Sequence, residues 1–351
     1  MKQFTIDDIE ALALGSAVLG SGGGGDPCND LLMAKYAIEK FGPVNLISVD
    51  ELTQDALVAP LAFMGAPLVC SEKLINGREI FDVISAIQKS FGRPIDALMP
   101  AEIGGANAFA PLLVAGELKL PIIDADCIGR AFPQLQMNSC NLAGVNPWPA
   151  FLADGLGNTV TIETKNANDV ERFARQVTIA MGSNAALAFH MLQGRDQVQS
   201  AVVSGSITTA IAIGKAILQA RQEQTNPVEK LVNATNGKLL SQGTINDIDQ
   251  CVQDGFLEGT LNIHTPSGDV QLIYQNEYLL AKKDSEILGT TPDILMLLET
   301  ESGTPITSES LRFGLRVSLV AIEAPKIWQS EQALKLVGPR VFGFDADYKG
   351  F

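Results

Sequence analysis

The chain has 351 residues, 46% of them hydrophobic and 19% charged, which is enough apolar material for folded domains and excludes a largely disordered chain. Its formal net charge of −15 opposes binding to nucleic-acid phosphates, and no cluster of Lys or Arg offsets it locally. Five cysteines without a CxxC spacing indicate neither a disulfide framework nor a cysteine-rich zinc site. No segment has ~18 continuous apolar residues, and the first residues lack a signal-peptide pattern, so we expect a cytoplasmic protein that binds no membrane.

The first 91 residues predict alternating helices and strands. Apolar spacing over residues 5–20 predicts a helix that begins at a capping box of Thr5 and Asp8. This helix leads into the glycine tract, residues 22–25, which is followed by Asp26 and Pro27. Beyond the tract we expect, in chain order, a helix, two strands and a helix over 29–41, 44–49, 57–64 and 76–91.

Residues 95–123 have the pattern of a βαβ unit. A short apolar strand at 95–99, a helix at 106–118 and a second strand at 120–123 are joined by short connections, which is typical of a parallel sheet. Residues 138–157 contain Gly, Asn and Pro and predict an irregular joint. We therefore expect an N-terminal domain of mixed or parallel α/β type that ends at residue 157.

The C-terminal domain, residues 158–351, is predicted to begin as α/β and then to become mainly β. A strand at 159–164 precedes helices at 167–181 and 205–223. From about 236 onward, short alternating runs are separated by Gly, Pro, Ser and Asp, which predicts a mainly β region. The runs lie at 259–264, 269–274, 278–282, 293–299 and 315–322. The fold class is α/β in the N-terminal domain and α+β over the whole chain.

The glycine tract, Gly22, Gly23, Gly24 and Gly25, is the first candidate for a binding site. Glycine reaches positive φ at low cost, so successive N–H groups can form a concave nest of donors. A hinge is the alternative interpretation. The tract is not a P-loop, because no Lys-Ser or Lys-Thr follows, and a dinucleotide-binding motif needs a preceding strand rather than a helix.

Glu102 follows the strand predicted at 95–99, where ligands of open α/β sheets bind. Gly104 and Gly105 allow close approach of the backbone, and Asn107 completes the run PAEIGGAN. The functional interpretation is a carboxylate that faces a substrate. The alternative is a carboxylate that only stabilises the N-terminus of the next helix.

Asp124 and Asp126 follow the next predicted strand, and Arg130 comes four residues later. Two carboxylates at i and i+2 of an extended chain point the same way, and their repulsion separates the two pKa values, as a general base and an acid require. They could also chelate a divalent ion, and a structural Asp–Arg ion pair is the plain alternative. Because the two strands belong to one βαβ unit, we expect Glu102 and this pair to converge.

Other residues are weaker candidates. Glu72 or Lys73 could join the site, although a surface ion pair explains them nearly as well. His190 and His264 are far apart and cannot build a histidine-rich zinc centre together. Cys127 lies among acidic residues, which disfavours a thiolate nucleophile.

The runs GSGGGGDP (20–27), MGAP (64–67), PAEIGGAN (100–107) and PIIDADCIGRAFPQLQM (121–137) together resemble the S-methyl thiohydantoin desulfurase family. The resemblance extends over the whole chain and includes the weaker run YQNE at 274–277. It implies hydrolytic removal of a sulfur substituent from a hydantoin-type ring, with release of a thiol. It also implies a site made of Gly22, Gly23, Gly24, Gly25, Asp26, Glu102, Asn107, Asp124, Asp126 and Arg130. Family members often have Gly-Met where this chain has Cys127 and Ile128, and this departure bears on the substrate.

We therefore expect a hydrolase of a small ring compound. Asp124 or Asp126 would be the general base or a metal ligand, Glu102 the acid, and Arg130 the residue that orients the carboxylates. N–H groups of residues 22–25 would bind a ring carbonyl or a carboxylate tail. A divalent ion such as Zn²⁺, held by Asp124, Asp126 and Glu102, could activate the water instead.

Two other functions stay open at this stage. One is a nucleotide-dependent, ring-opening hydantoinase that uses the glycine tract. The other is a non-catalytic subunit that binds a hydantoinase or oxoprolinase partner, because family members occur beside or fused to such proteins. We also expect a homo-oligomer.

Overall fold

The computed structural model describes residues 2–65, 69, 72, 75–253 and 255–351, and these fall into two compact units. Neither unit is continuous in sequence. Unit 1 contains Met1–Glu10, Asp26–Gly129 and Gln134–Thr208, and unit 2 contains Ala11–Gly25, Arg130–Pro133 and Thr209–Phe351. The division of the sequence after residue 157 stays a prediction.

Unit 1 is built on a mixed sheet with helices around it. Its described strands are β1 (Lys2–Phe4), β2 (Val44–Ile47), β3 (Leu57–Gly65), β4 (Ala97–Pro100), β5 (Ile122–Ile123), β6 (Ala125–Asp126), β7 (Ala150–Ala153), β8 (Thr159–Ile162), β9 (Asn184–Ala188), β10 (Leu192–Gln193) and β11 (Val203–Ser204). Its described helices are α2 (Cys28–Phe41), α3 (Glu79–Phe91), α4 (Leu112–Leu118), α5 (Ser139–Leu142), α6 (Ala167–Ala180) and α7 (Arg195–Ala201), with 3-10 turns at Val49–Glu51 and Gly105–Phe109. Helix α1 (Ile6–Leu19) begins in unit 1 and ends in unit 2.

The strand order of this sheet is β1-β2-β5-β4-β3-β9-β7-β8, and β10 pairs with β3. Strands β2, β5, β4 and β3 are parallel neighbours, and Leu98 of β4 lies opposite Ile122 of β5. The predicted βαβ unit with parallel strands is thus confirmed. Nearly every residue of β3 is buried, which is typical of a parallel strand covered on both faces.

Two local predictions in unit 1 were wrong. The helix predicted at 106–118 is a 3-10 turn, Gly105–Phe109, followed by α4, because Pro111 lacks an N–H and cannot continue a helix through that point. The joint predicted at 138–157 contains α5 and the strand β7. The strand Ala150–Ala153 is almost fully buried between β8 and β9, although Gly, Asn and Pro dominate the sequence around it.

Unit 2 is built on an antiparallel sheet. Its described strands are β12 (Lys238–Gln253), β13 (Phe256–His264), β14 (Val270–Gln275), β15 (Glu277–Lys283), β16 (Glu286–Thr290), β17 (Ile294–Glu299) and β18 (Arg316–Ile322). Its described helices are α8 (Ser206–Glu223), α9 (Pro227–Thr235) and α10 (Glu331–Val337), and 3-10 turns lie at Ser308–Ser310, Lys326–Gln329 and Pro339–Phe342. The order β16-β15-β14-β13-β12-β18-β17 confirms the mainly β region, and the fold class is α/β overall.

The first residues of α8, up to Thr208, belong to unit 1. Among the described residues, no helix is long and apolar enough to cross a membrane.

Candidate functional site

Glu102 lies directly beyond β4, at the carboxyl end of the parallel strands, and is half-buried. Its Oε2 accepts a hydrogen bond of 3.0 Å from Nδ2 of Asn107. The Oδ1 of Asn107 accepts the backbone N–H of Phe63 at 2.8 Å, so the amide itself is fixed by β3. The result is a carboxylate that is oriented by an amide, which is itself bound to the backbone of β3.

Asp126 is completely buried, and its carboxylate is surrounded by backbone donors. It accepts N–H groups from Ile103 at 2.8 Å, from Ile128 at 3.1 Å and from Gly129 at 2.8 and 2.9 Å. Burial raises the pKa of Asp126 to about 7, although the hydrogen bonds from these N–H groups act in the opposite direction. The side chain therefore fixes the loop of residues 126–129 around itself.

Asp124 has a different partner. Its Oδ1 accepts the N–H of Thr208 at 2.9 Å, and its Oδ2 accepts the hydroxyl of the same residue. Thr208 is the third residue of α8, so the carboxylate binds one of the donors that a helix leaves unsatisfied at its N-terminus. This geometry corresponds to a helix cap.

The predicted convergence holds for Glu102 and Asp126 at the level of the backbone. The N–H of Ile103 binds Asp126, and the N–H of Cys127 donates to the carbonyl of Ala101 at 3.2 Å. The segment that carries Glu102 and the acidic loop are therefore neighbours. The contacts of Asp124 lie instead with Thr208, so the two aspartates hold different parts of unit 1.

Arg130 belongs to unit 2, where its side chain is completely buried. Its Nη1 donates to the carbonyl oxygens of Pro292 and Asp293 at 2.5 and 2.7 Å. The guanidinium carbon lies 4.5 Å from the centre of the Phe132 ring. These contacts fix the turn before β17, and the role in orienting the carboxylates stays a prediction.

The glycine tract lies in unit 2 and packs tightly against the start of β15. Gly22, Gly24 and Gly25 have positive φ angles of 89°, 73° and 79°. A Cβ added to Gly22 would lie 2.5 Å from the ring of Tyr278, and one added to Gly23 would lie 2.0 Å from Oε1 of Glu277. Close packing against the ring thus requires glycine at residue 22, whereas a side chain at residue 23 would have to displace the Glu277 carboxylate.

Further hydrogen bonds fix the tract on both sides. The N–H of Tyr278 donates to the carbonyl of Ser21 at 2.6 Å, and the N–H of Ser308 donates to that of Gly22 at 2.8 Å. The hydroxyl of Ser21 donates to the carbonyl of Leu295 at 2.9 Å. Glu277, which Gly23 approaches, is the last residue of the run YQNE, and this run was the sequence signal for the contact.

The weaker candidates lie apart from these contacts. His190 is 1% exposed with a φ of 51°, and burial lowers its pKa to about 4, so the ring is neutral at pH 7. His264 is exposed and lies 2.8 Å from Oδ1 of Asp269. Glu72 is exposed, whereas Lys73 lies outside the described residues, as do Ala66 and Pro67 of the run MGAP.

The side chains at the predicted site are not arranged to bind a metal ion. Within the described ranges, no group of three or more His, Cys, Asp or Glu side chains could hold one. Both oxygens of Asp126 face N–H donors and those of Asp124 face Thr208, which leaves neither carboxylate arranged as a ligand.

The comparisons with known proteins cover the full chain. A family model described as the S-Me-THD-like N-terminal domain matches residues 7–164, and the S-Me-THD-like C-terminal domain matches residues 164–351. No curated protein matches the sequence. The fold is similar to the crystal structure of a protein from Chromobacterium violaceum, with a TM-score of 0.82, 24% identity and 100% of both chains covered.

Proposed function

Because the chain belongs to the S-Me-THD-like family, that of the S-methyl thiohydantoin desulfurases, we propose that it hydrolyses a small hydantoin-like ring and releases a thiol. The observation that supports this most is the Glu102 carboxylate, half-buried at the end of β4 and held by Asn107. Ligands of α/β sheets bind at this edge, and a fixed carboxylate there suits general acid–base chemistry.

The reaction consumes one water molecule and moves both of its protons. Water adds to the ring carbon that carries the sulfur substituent, Glu102 takes one proton, and the ring nitrogen receives this proton together with the electron pair of the carbon–nitrogen double bond. The carbon–sulfur bond of the adduct then breaks, Glu102 transfers the remaining hydroxyl proton to the sulfur, the carbon becomes a carbonyl, and the sulfur leaves as a thiol. Holding the base in one orientation lowers the entropic cost of the attack.

We assign supporting roles to the other unit 1 residues. Asn107 positions Glu102, and Asp126 positions the loop after Cys127 that lies beside the segment of Glu102. Asp124 holds the start of α8. The general base that the sequence placed at Asp124 or Asp126 is thus proposed at Glu102 instead.

The substrate-binding role predicted for the N–H groups of Gly24 and Gly25, which lie in unit 2, stays a prediction. Their positive φ angles support this role, since such backbone favours an inward-facing nest of donors. Gly22 and Gly23 are explained by their packing against Tyr278 and Glu277.

The test is a thiol-release assay on a panel of S-alkyl thiohydantoins, in buffer with a chelator and without nucleotide. We expect Glu102→Gln to lower kcat by about 10²–10⁴-fold, the usual contribution of a positioned acid–base group. Glu117→Gln changes an exposed carboxylate of α4 in the same way and is the matched control. Turnover of Glu102→Gln equal to that of the control would remove Glu102 from the mechanism.

The same assay separates the proposal from its alternatives. Thiol release that requires added nucleotide would support the ring-opening hydantoinase. Wild-type protein that releases no thiol from any member of the panel, and that co-purifies with a hydantoinase, would support the non-catalytic subunit and contradict our proposal.

A further inference from the structure

Strand β12 is the longest strand among the described residues, and only its first half lies inside the sheet. Residues Lys238–Thr244 pair with β18 on one side, and Thr244–Gln253 pair with β13 on the other. The last contacts on the β18 side join Ile245 to Leu315 and Gly314. From residue 246 onward, no described strand pairs with this side of β12, so residues 247–253 form an open edge of the sheet.

The open edge has an apolar face and a polar face. Ile248 and Val252, with Gln250 between them on the same face, lie opposite Leu261 and Leu257 of β13, and both leucines are buried. The apolar row of the sheet therefore continues onto the edge, where Val252 is 64% exposed. Side chains of the other face are Asp247, Asp249, Cys251 and Gln253, which are exposed.

Edge strands normally carry a device that prevents pairing with another chain. The two aspartates would serve this purpose if they met each other across the contact. When a two-fold axis relates two antiparallel strands, the numbers of any two opposite residues add up to twice the number of the residue on the axis. In most registers centred near residue 249, an aspartate of one strand therefore lies opposite an aspartate of the other. A pair centred on Gln250 places no aspartate opposite another.

We propose that the edge 247–253 pairs antiparallel with the same edge of a second copy, with Gln250 on the two-fold axis. Ile248 then lies opposite Val252 of the second copy, Asp249 opposite Cys251, and Asp247 opposite Gln253. The apolar rows of the two sheets become continuous, from Leu261 through Ile248 into the second copy. Each aspartate faces a neutral side chain, so the edge is self-complementary in both its backbone and its side chains.

The size and charge of this contact set its strength. Seven residues of strand bury less surface than a standard stable interface, so the dimer forms in a concentration-dependent way. Each copy carries a formal net charge of −15, and added salt screens this repulsion and favours the dimer.

A cysteine placed at residue 249 tests the register directly. In a Cys28→Ser background, Asp249→Cys sets residue 249 opposite the native Cys251 of the second copy, so a copper–phenanthroline oxidant with air should link two chains through residues 249 and 251. Opposite residues on antiparallel strands lie close enough for a disulfide, and diagonal ones do not. Asp247→Cys faces Gln253 and is the matched control, which should give no such link. Equal cross-linking of the two variants, or none, overturns the proposal.

Sedimentation velocity tests the contact in the unmodified chain. Wild-type protein should approach twice the chain mass of 37.3 kDa as its concentration and the salt concentration rise. Val252→Lys should stay at the mass of one chain, and Val252→Ile should behave as wild type. A wild-type protein that remains a single chain, or a dimer that Val252→Lys leaves unchanged, overturns the proposal. Circular dichroism of each variant confirms folding, and thiol release is measured separately, so failure here leaves the proposed chemistry unaffected.

Discussion

The acidic loop of unit 1, residues 124–129, and the glycine tract of unit 2 differ in whether their backbone N–H groups surround a carboxylate. In the acidic loop they do, and the carboxylate is that of the protein's own Asp126, which accepts N–H groups from Ile103, Ile128 and Gly129. In the glycine tract, Gly22 and Gly23 are instead packed against Tyr278 and Glu277. The conformation of the acidic loop is thus fixed by a buried carboxylate, and that of the glycine tract by close packing at positions that lack side chains.

The difference teaches that a glycine run has two physical explanations that sequence does not separate. Positive φ angles and close packing both require glycine, and at Gly22 both apply. Each explanation predicts a different cost of substitution, so the comparison can be tested by mutation.

The largest effect is expected for Gly22→Ala. The new methyl group would lie 2.5 Å from the Tyr278 ring, and the residue would keep a φ of 89°. Overpacking a rigid contact costs about 1–3 kcal/mol and the left-handed backbone about 1–2 kcal/mol. We expect the free energy of unfolding, measured in urea, to fall by about 2–5 kcal/mol.

Gly42→Ala is the matched control for this prediction. Gly42 has the same φ of 89°, but nothing lies within 4 Å of the position its Cβ would take. Its substitution therefore measures the backbone cost without the contact. If Gly22→Ala destabilises the protein no more than Gly42→Ala does, packing against Tyr278 is not the reason for glycine at residue 22.

Regular elements were the part of the fold that sequence predicted well. The strands β3, β4 and β5 are short apolar runs, and the parallel pairing of β4 with β5 follows from the strand–helix–strand pattern that joins them. Strand β12 was missed because its sequence, KLLSQGTINDIDQCVQ, has no sustained alternation and its second half is exposed. Helix α9 was missed although Asn226 caps it by accepting the N–H groups of Val228 and Glu229.

The second effect is a dependence of stability on pH, which comes from Asp126. Burial raises its pKa to about 7 in the folded state, so between pH 4 and pH 7 the folded chain binds more protons at this residue than the unfolded chain. Its contribution therefore becomes less favourable as pH rises through this range, by up to about 1.4 kcal/mol per pH unit. Asp126→Asn removes the titratable carboxyl group and should abolish this component of the slope of stability against pH.

His190 provides an internal contrast to Asp126. Burial lowers its pKa to about 4, so the unfolded chain binds the extra proton and stability rises with pH between about 4 and 6.5. The two residues act in opposite directions and largely offset each other between pH 4 and pH 6.5, so His190→Gln should make the slope of stability against pH more negative over this range. Urea unfolding at several pH values checks both signs, and a slope that is unchanged in Asp126→Asn would contradict the prediction for Asp126.

The sequence predicted where in the fold the candidate residues lie, but not which partners their side chains bind. Strand ends located Glu102, Asp124 and Asp126, because parallel strands bring their carboxyl ends to one edge. The partners of each carboxylate depend on residues distant in sequence, such as Thr208 for Asp124. Alternation at i and i+2 cannot reveal such partners, so it could not separate a helix cap from a general base.

The smallest effect is expected for Asp124, and it separates a helix cap from a catalytic group. Since Asp124 binds the N–H and hydroxyl of Thr208, Asp124→Ala should lower the free energy of unfolding by about 1 kcal/mol, the usual value of a cap. Thr208→Val removes the hydroxyl but keeps the N–H, and should therefore lower the free energy of unfolding by less than Asp124→Ala does. If Asp124 only holds α8, thiol release by folded Asp124→Ala stays within a few-fold of wild type, whereas removal of a general base costs about 10²–10⁴-fold. A loss of that size in folded protein would return the base to Asp124 and give the acidic loop, rather than the Glu102 segment, the central place in the chemistry.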